Sequence, residues 1–179
     1  MELGVISVRY ARALLKSAME QKIDDKVYQD MQTLSKSYIL VPELRFTIDY
    51  PMLDNAKKES LLITATGGSG ISSLTKRFIA MVLAGGRESA LQLMAASYIT
   101  LYRKQKNITR GKLITAVAVT PEIERKMRQR VESRTQGTVE FQTEVNPEII
   151  GGFILEYDTY RMDASIQNQL RQILTQLKK

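Results

Sequence analysis

The side chains here that could do chemistry are carboxylates, ammonium and guanidinium groups, hydroxyls and phenols. The 179 residues include no His and no Cys. Without Cys there is no thiol nucleophile, no thiolate metal ligand and no disulfide. Without His, the commonest general base, the commonest zinc ligand and any Ser-His-Asp triad are gone. A hydrolase would have to use Asp, Glu, Lys or Tyr, and no paired carboxylates stand at a recognisable spacing. Thr66-Gly67-Gly68-Ser69-Gly70 is rich enough in glycine to suggest a phosphate cradle. No Lys-Ser/Thr follows it, and the segment ahead has the period of a helix rather than a strand, so it reads as a plain loop. Arg125-Lys126, Arg128 and Arg130 come nearest to a nucleic-acid footprint, but Glu122, Glu124 and Glu132 flank them. No catalytic, cofactor or metal residue is assigned, and neither nucleic acid nor a small-molecule substrate is expected as a ligand.

The composition is that of a folded, soluble chain. It is 44% apolar, enough for a core, and carries a formal charge of +7. Residues 1–106 hold fifteen basic and ten acidic groups, and residues 107–179 hold eleven and nine. Such a balance suits an acidic protein partner or an anionic surface nearby. The longest apolar run, Phe78 to Ala84, is far too short to span a bilayer. The N-terminus enters an amphipathic pattern with no apolar signal segment. A bacterial cytosolic protein is expected.

The elements that must position any site change character along the chain. Val5, Val8, Ala11, Leu15 and Ala18 keep helical spacing, and Ala11, Ala13 and Ala18 make that first helix thin. Asp24-Asp25 opens a second helix with the stripe Val27, Met31, Leu34 and Tyr38. A short helix covers Leu44 to Ile48, and Asp54 can cap a fourth that runs through Lys57-Lys58 to Ile63. The fifth, Ile71 to Ala84, is expected to bury Ile71, Leu74, Phe78 and Met81 before Gly85-Gly86 ends it. Leu91, Met94, Tyr98, Leu101 and Tyr102 mark a long sixth. Six helices joined by short turns imply an antiparallel bundle over residues 1–106.

Residues 107–111 read as a linker. Beyond them the period becomes that of strands. Lys112 to Thr120 suits a buried strand, and Thr120-Pro121-Glu122 starts a helix that runs to about Thr135. In Thr138 to Val145, Val139, Phe141, Thr143 and Val145 share one face. Gly151-Gly152 precedes an alternating strand, Phe153 to Tyr157, where a bend or close backbone approach needs residues without a Cβ. Asp158-Thr159 turns the chain into Tyr160 to Met162. Asp163 or Ser165 can cap a last helix, on which Ile166, Leu170, Ile173, Leu174 and Leu177 share one face. Residues 112–179 thus read as a small α+β domain. The fold class is mainly α with a smaller α+β part.

The C-terminal pattern carries a resemblance. Ile149-Ile150, Gly151-Gly152, the alternating strand, the turn, Asp163-Ala164-Ser165 and Leu170 resemble the signature of the δ subunits of F-type ATP synthases, called oligomycin-sensitivity-conferring proteins in mitochondria. Asp158 and Ala164 stand where that family often has Gly. Tyr10-Ala11-Arg12-Ala13-Leu14 resembles its first-helix motif, and Pro51, Lys57 or Lys58, and Arg87 match further family positions. The resemblance implies a non-catalytic stator subunit without cofactors. It would be a monomer within the complex, peripheral to the cytoplasmic face of the bacterial inner membrane. Its bundle would bind the N-terminal helix of an α subunit of the catalytic head, and its C-terminal domain the end of the b-subunit stalk. Proton-driven rotation would thereby be coupled to ATP synthesis. The family's groove between the first and fifth helices would fall, in this chain, on Tyr10, Ala13, Leu14, Ser17, Phe78, Met81 and Val82. Ile150, Gly151, Gly152, Asp163, Ser165 and Leu170 would be structural.

Overall fold

A computed structural model of the chain describes residues 3–135, 137–157 and 159–177. Among these the fold is mainly helical, with a four-stranded sheet in the C-terminal part. The chain divides into two compact units, Met1–Lys104 and Gln105–Lys179.

In the first unit the helices are α1 (Leu3–Glu20), α2 (Asp24–Leu40), α3 (Glu43–Asp49), α4 (Asn55–Thr66), α5 (Ser73–Ala84) and α6 (Leu91–Lys106). The stripes of α2 and α6 turn inward as their spacing demands. Val27, Met31, Leu34 and Tyr38 are buried, as are Leu91, Met94, Tyr98 and Tyr102. Tyr28 stacks on Tyr102 with ring centroids 4.1 Å apart. The face of α1 is rotated from the expected one. Ser7, Ala11, Leu14, Leu15 and Ala18 are buried, whereas Val5 and Val8 are exposed. Ser7 can be buried because its hydroxyl donates to the Leu3 carbonyl (2.7 Å), so it carries no unmet polar group inward. Asp54 stands at the N-cap of α4, but its side chain makes no capping bond.

Asp30 on α2 determines where α5 begins. It is 2% exposed, and its carboxylate accepts from the Ser72 amide (2.9 Å) and the Thr75 hydroxyl (2.8 Å), with Lys26 at 3.3 Å. Ser72 is the N-cap of α5 and accepts from the Thr75 amide (3.0 Å). A negative charge at the positive end of a helix, fully bonded, is a stabilising place for a buried carboxylate.

In the second unit β1 (Ile108–Thr115), α7 (Pro121–Thr135), β2 (Thr138–Val145), β3 (Phe153–Tyr157), β4 (Tyr160–Asp163) and α8 (Ile166–Leu177) follow in order. The sheet order is β2-β1-β3-β4, with β1 parallel to β2 and antiparallel to β3. Leu113, Val131, Val139, Leu155 and Tyr157 form the core, with Met127, Phe141 and Phe153 against it. The expected linker is largely strand: β1 begins at Ile108 and ends at Thr115, rather than running from Lys112 to Thr120. Gly111, read as part of the linker, lies within the strand. A Cβ there would lie 2.5 Å from the Phe141 ring, so this glycine makes room for a packed aromatic within the sheet. Asp158 lies outside the described residues.

The two signature glycines differ sharply. Gly152 has φ +74, and a Cβ on it would meet the Ala164 carbonyl oxygen at 2.2 Å, a backbone atom that cannot swing aside. At Gly151 a Cβ would meet only the end of the Ile166 side chain, at 2.6 Å. Gly152 is therefore the fixed point where β3 begins against the segment leading into α8. Replacing Gly152 with Ala is expected to destabilise the second unit by roughly 2–4 kcal/mol, and Gly151→Ala by less than about 1 kcal/mol. Urea unfolding of the two variants, followed by sheet and near-UV signals, checks this.

Candidate functional site: an apolar groove between α1 and α5

The first unit carries an open groove of about 490 Å³ between α1 and α5. Arg9, Tyr10, Ala13, Leu14, Ser17 and Gln21 come from α1 and the residue just beyond it. Leu74, Arg77, Phe78 and Met81 come from α5. The groove exists because α1 has small residues where α5 has large ones. Ala13 leaves a hollow beside Phe78 and Met81, and Tyr10 meets Phe78 edge-on at 6.4 Å between ring centroids. Met81 is 52% exposed, contrary to the expectation that it lies in the core. A large, pliable apolar side chain held in the open on a groove wall suits an incoming apolar surface.

Of the seven residues assigned to a groove from the sequence, Tyr10, Ala13, Leu14, Ser17, Phe78 and Met81 line it. Val82 does not. It is fully buried, one residue step from Met81 and so about 100° around the helix. Arg9, Gln21, Leu74 and Arg77 were missed. Nothing in helical spacing says that Arg9 and Arg77 edge an apolar hollow.

Arg87 closes one end of the groove. Its guanidinium donates to the Tyr10 hydroxyl and lies 5.3 Å from the centroid of the same ring. At the other end, the Gln21 amide donates to the Ser17 hydroxyl (3.2 Å). Glu88 pairs at 2.7 Å with Lys58 of α4, which is only 3% exposed. Of the two lysines considered, Lys58 is thus the structural one, and Lys57 faces solvent.

The signature residues fall together at the start of α8. Ser165 caps it, accepting from the Asn168 amide (3.2 Å), while Asp163 accepts from the Ser165 amide (3.0 Å) and hydroxyl (2.5 Å). Those bonds, the hydroxyl one foremost, hold the Asp163 carboxyl below the usual range. Ile150 is left-handed at φ 67, an unusual conformation for a β-branched residue, at the end of the short 3₁₀ turn Pro147–Ile149. Ile166, Leu170, Ile173, Leu174 and Leu177 form one apolar stripe, and all are exposed. On α7 two of the basic residues pair within the helix, Lys126–Glu122 at 3.1 Å and Arg128–Glu124 at 2.8 Å. The described residues contain no cluster of metal-ligating groups, and none of their helices is long and apolar enough to cross a membrane.

These features define a class: a two-unit, mainly helical protein with an apolar groove on one unit and an unpartnered amphipathic helix on the other. The family model of the ATP synthase delta (OSCP) subunit matches residues 6–177. An ATP synthase subunit delta of Phocaeicola vulgatus is 46% identical over 176 residues, covering 98% of this chain and 95% of its own. That of Parabacteroides distasonis is 44% identical, covering 99% and 98%. A chain of the Toxoplasma gondii mitochondrial ATP synthase hexamer shares the fold, with a TM-score of 0.65 over 97% of each chain at 20% identity. The chain belongs to the ATP synthase delta (OSCP) subunit family.

The Lys58–Glu88 pair gives a pH test of the groove's closed end. Glu88 is held below its ordinary value of 4.5, first by its bond from Lys58. A depressed carboxyl contributes stability that is present above that ordinary value and lost as pH falls through the lower folded value. Unfolding midpoints between pH 6 and pH 2.5 should therefore fall less steeply for Glu88→Gln than for the native chain. Glu88→Ala, which strands a buried ammonium, should cost roughly 3 kcal/mol at pH 7.

Proposed function

We propose that this chain is the stator link of an F-type ATP synthase, holding the catalytic head to the membrane-anchored stalk while the central shaft turns. It does no chemistry itself. Membership of the delta (OSCP) family supports the stator role, and the groove between α1 and α5 is the observation that carries its mechanics.

The six helices of the first unit act as a helical bundle that receives the N-terminal helix of an α subunit. The receiving surface is Tyr10, Ala13, Leu14, Ser17, Phe78 and Met81. A helix laid in an apolar groove is a recurrent mode of recognition, reading anchors at steps of three and four. The second unit takes the end of the b-subunit stalk, and the exposed stripe of α8 supports that assignment, because such a stripe is stable on a surface only against a partner. Bound at both ends, a single copy in each complex transmits torque. Proton-driven rotation is then spent on ATP synthesis rather than on turning the head. The chain lies on the cytoplasmic face of the bacterial membrane and reaches it only through the complex.

The test is a calorimetric titration of the full chain with a peptide from the N-terminus of the same organism's α subunit. Binding with a negative heat-capacity change is expected, as apolar burial requires. Met81→Asp should weaken it by about 2 kcal/mol or more while leaving the unfolding midpoint unchanged, because Met81 is already half exposed. Val82→Ala should do the reverse, lowering stability by about 1–2 kcal/mol with little effect on affinity. Equal affinity of the native and Met81→Asp chains would place the contact elsewhere.

A further inference from the structure

The groove has an electrical character that its apolar floor does not require. Each wall carries one guanidinium, Arg9 on α1 and Arg77 on α5. Among the described residues neither has an ion-pair partner, whereas Lys26, Lys58, Lys126 and Arg128 all do. The two helices are basic as a pair. Arg9, Arg12 and Lys16 stand on α1 against Glu20 alone, and α5 has Lys76 and Arg77 with no acid. Arg12 and Lys16 lie with Arg9 on the outer face of α1, beside the exposed Val5 and Val8. A segment settling into the groove therefore meets apolar contact below and positive potential on both sides.

We infer that the groove selects an amphipathic helix bearing acidic residues on both edges of its apolar stripe. This rests on the reading that the groove receives a helix, and adds which helix it accepts. Two cations on the walls of an apolar groove are partly freed from competing water when its floor is covered. Carboxylates on the flanks then pair with them, and cations on the flanks would be repelled. The chain's own α8 does not qualify, since its only charged residue between Ile166 and Leu177 is Arg171. The rim thereby disfavours a second copy of this chain as the occupant.

Three designed peptides of about 20 residues with one Leu stripe test this, flanked by Glu, by Gln or by Lys. Each is titrated into the full chain at low and at high salt. At about 50 mM salt the Glu peptide should bind about fivefold more tightly than the Gln peptide, with the Lys peptide weakest, and the differences should shrink at about 500 mM. The double variant Arg9→Gln, Arg77→Gln should lose the preference for Glu while keeping its unfolding midpoint. Equal binding of Glu and Gln peptides at low salt, abolished in both cases by Met81→Asp, would overturn the charge selection and leave the groove reading standing. Failure of all three peptides to bind, or binding indifferent to Met81→Asp, would overturn both. A dimer of the free chain that Met81→Asp breaks would show a second copy in the groove and overturn the inference.

Discussion

The groove depends on a carboxylate that never reaches solvent. Burying Asp30 carries a large desolvation penalty, which its three partners together offset. In return it sets the start of α5, because the Ser72 amide and the Thr75 hydroxyl both point at it. The far end is set by different groups, with Lys58 gripping Glu88 and Arg87 gripping Tyr10. The walls are thus located by α2, by α4 and by the turn after α5. That is why they can stand apart without collapsing onto each other. A groove held open in this way offers a preformed surface, and a partner need not spend binding energy on ordering it.

Much of this was legible in the sequence, for identifiable reasons. β2 was readable because Val139 and Phe141 alternate with charged or polar neighbours, and α7 because Thr120-Pro121-Glu122 is a start signal. β1 was misplaced because Arg110 and Gly111 resemble loop residues, and a glycine making space for Phe141 cannot be told from a flexible one without knowing its neighbour. The strand order, with β1 between β2 and β3, has no local signature at all. On α1 the stripe that began at Val5 and Val8 was misplaced, because a Ser7 whose hydroxyl bonds within its own helix can be buried in their stead.

The groove residues were named from a resemblance, since nothing in spacing alone separates Met81 from a core methionine. Val82 shows the limit of that route: it follows Met81 in the chain, yet it is fully buried and does not line the hollow. The cations Arg9 and Arg77 have the opposite history. Their charge was plain from the sequence, but their setting was invisible until two helices were brought side by side.

The strand order of the second unit also bears on how the chain is made. Of the strands β1 leaves the ribosome first, yet it is an inner one, and its neighbours β2 and β3 come some thirty and forty residues later. Loop closure must precede any of that pairing, so this unit forms late and slowly compared with helices whose contacts are local. During synthesis β1 is a strand with two bare edges, while the helical unit ahead of it is already free to fold.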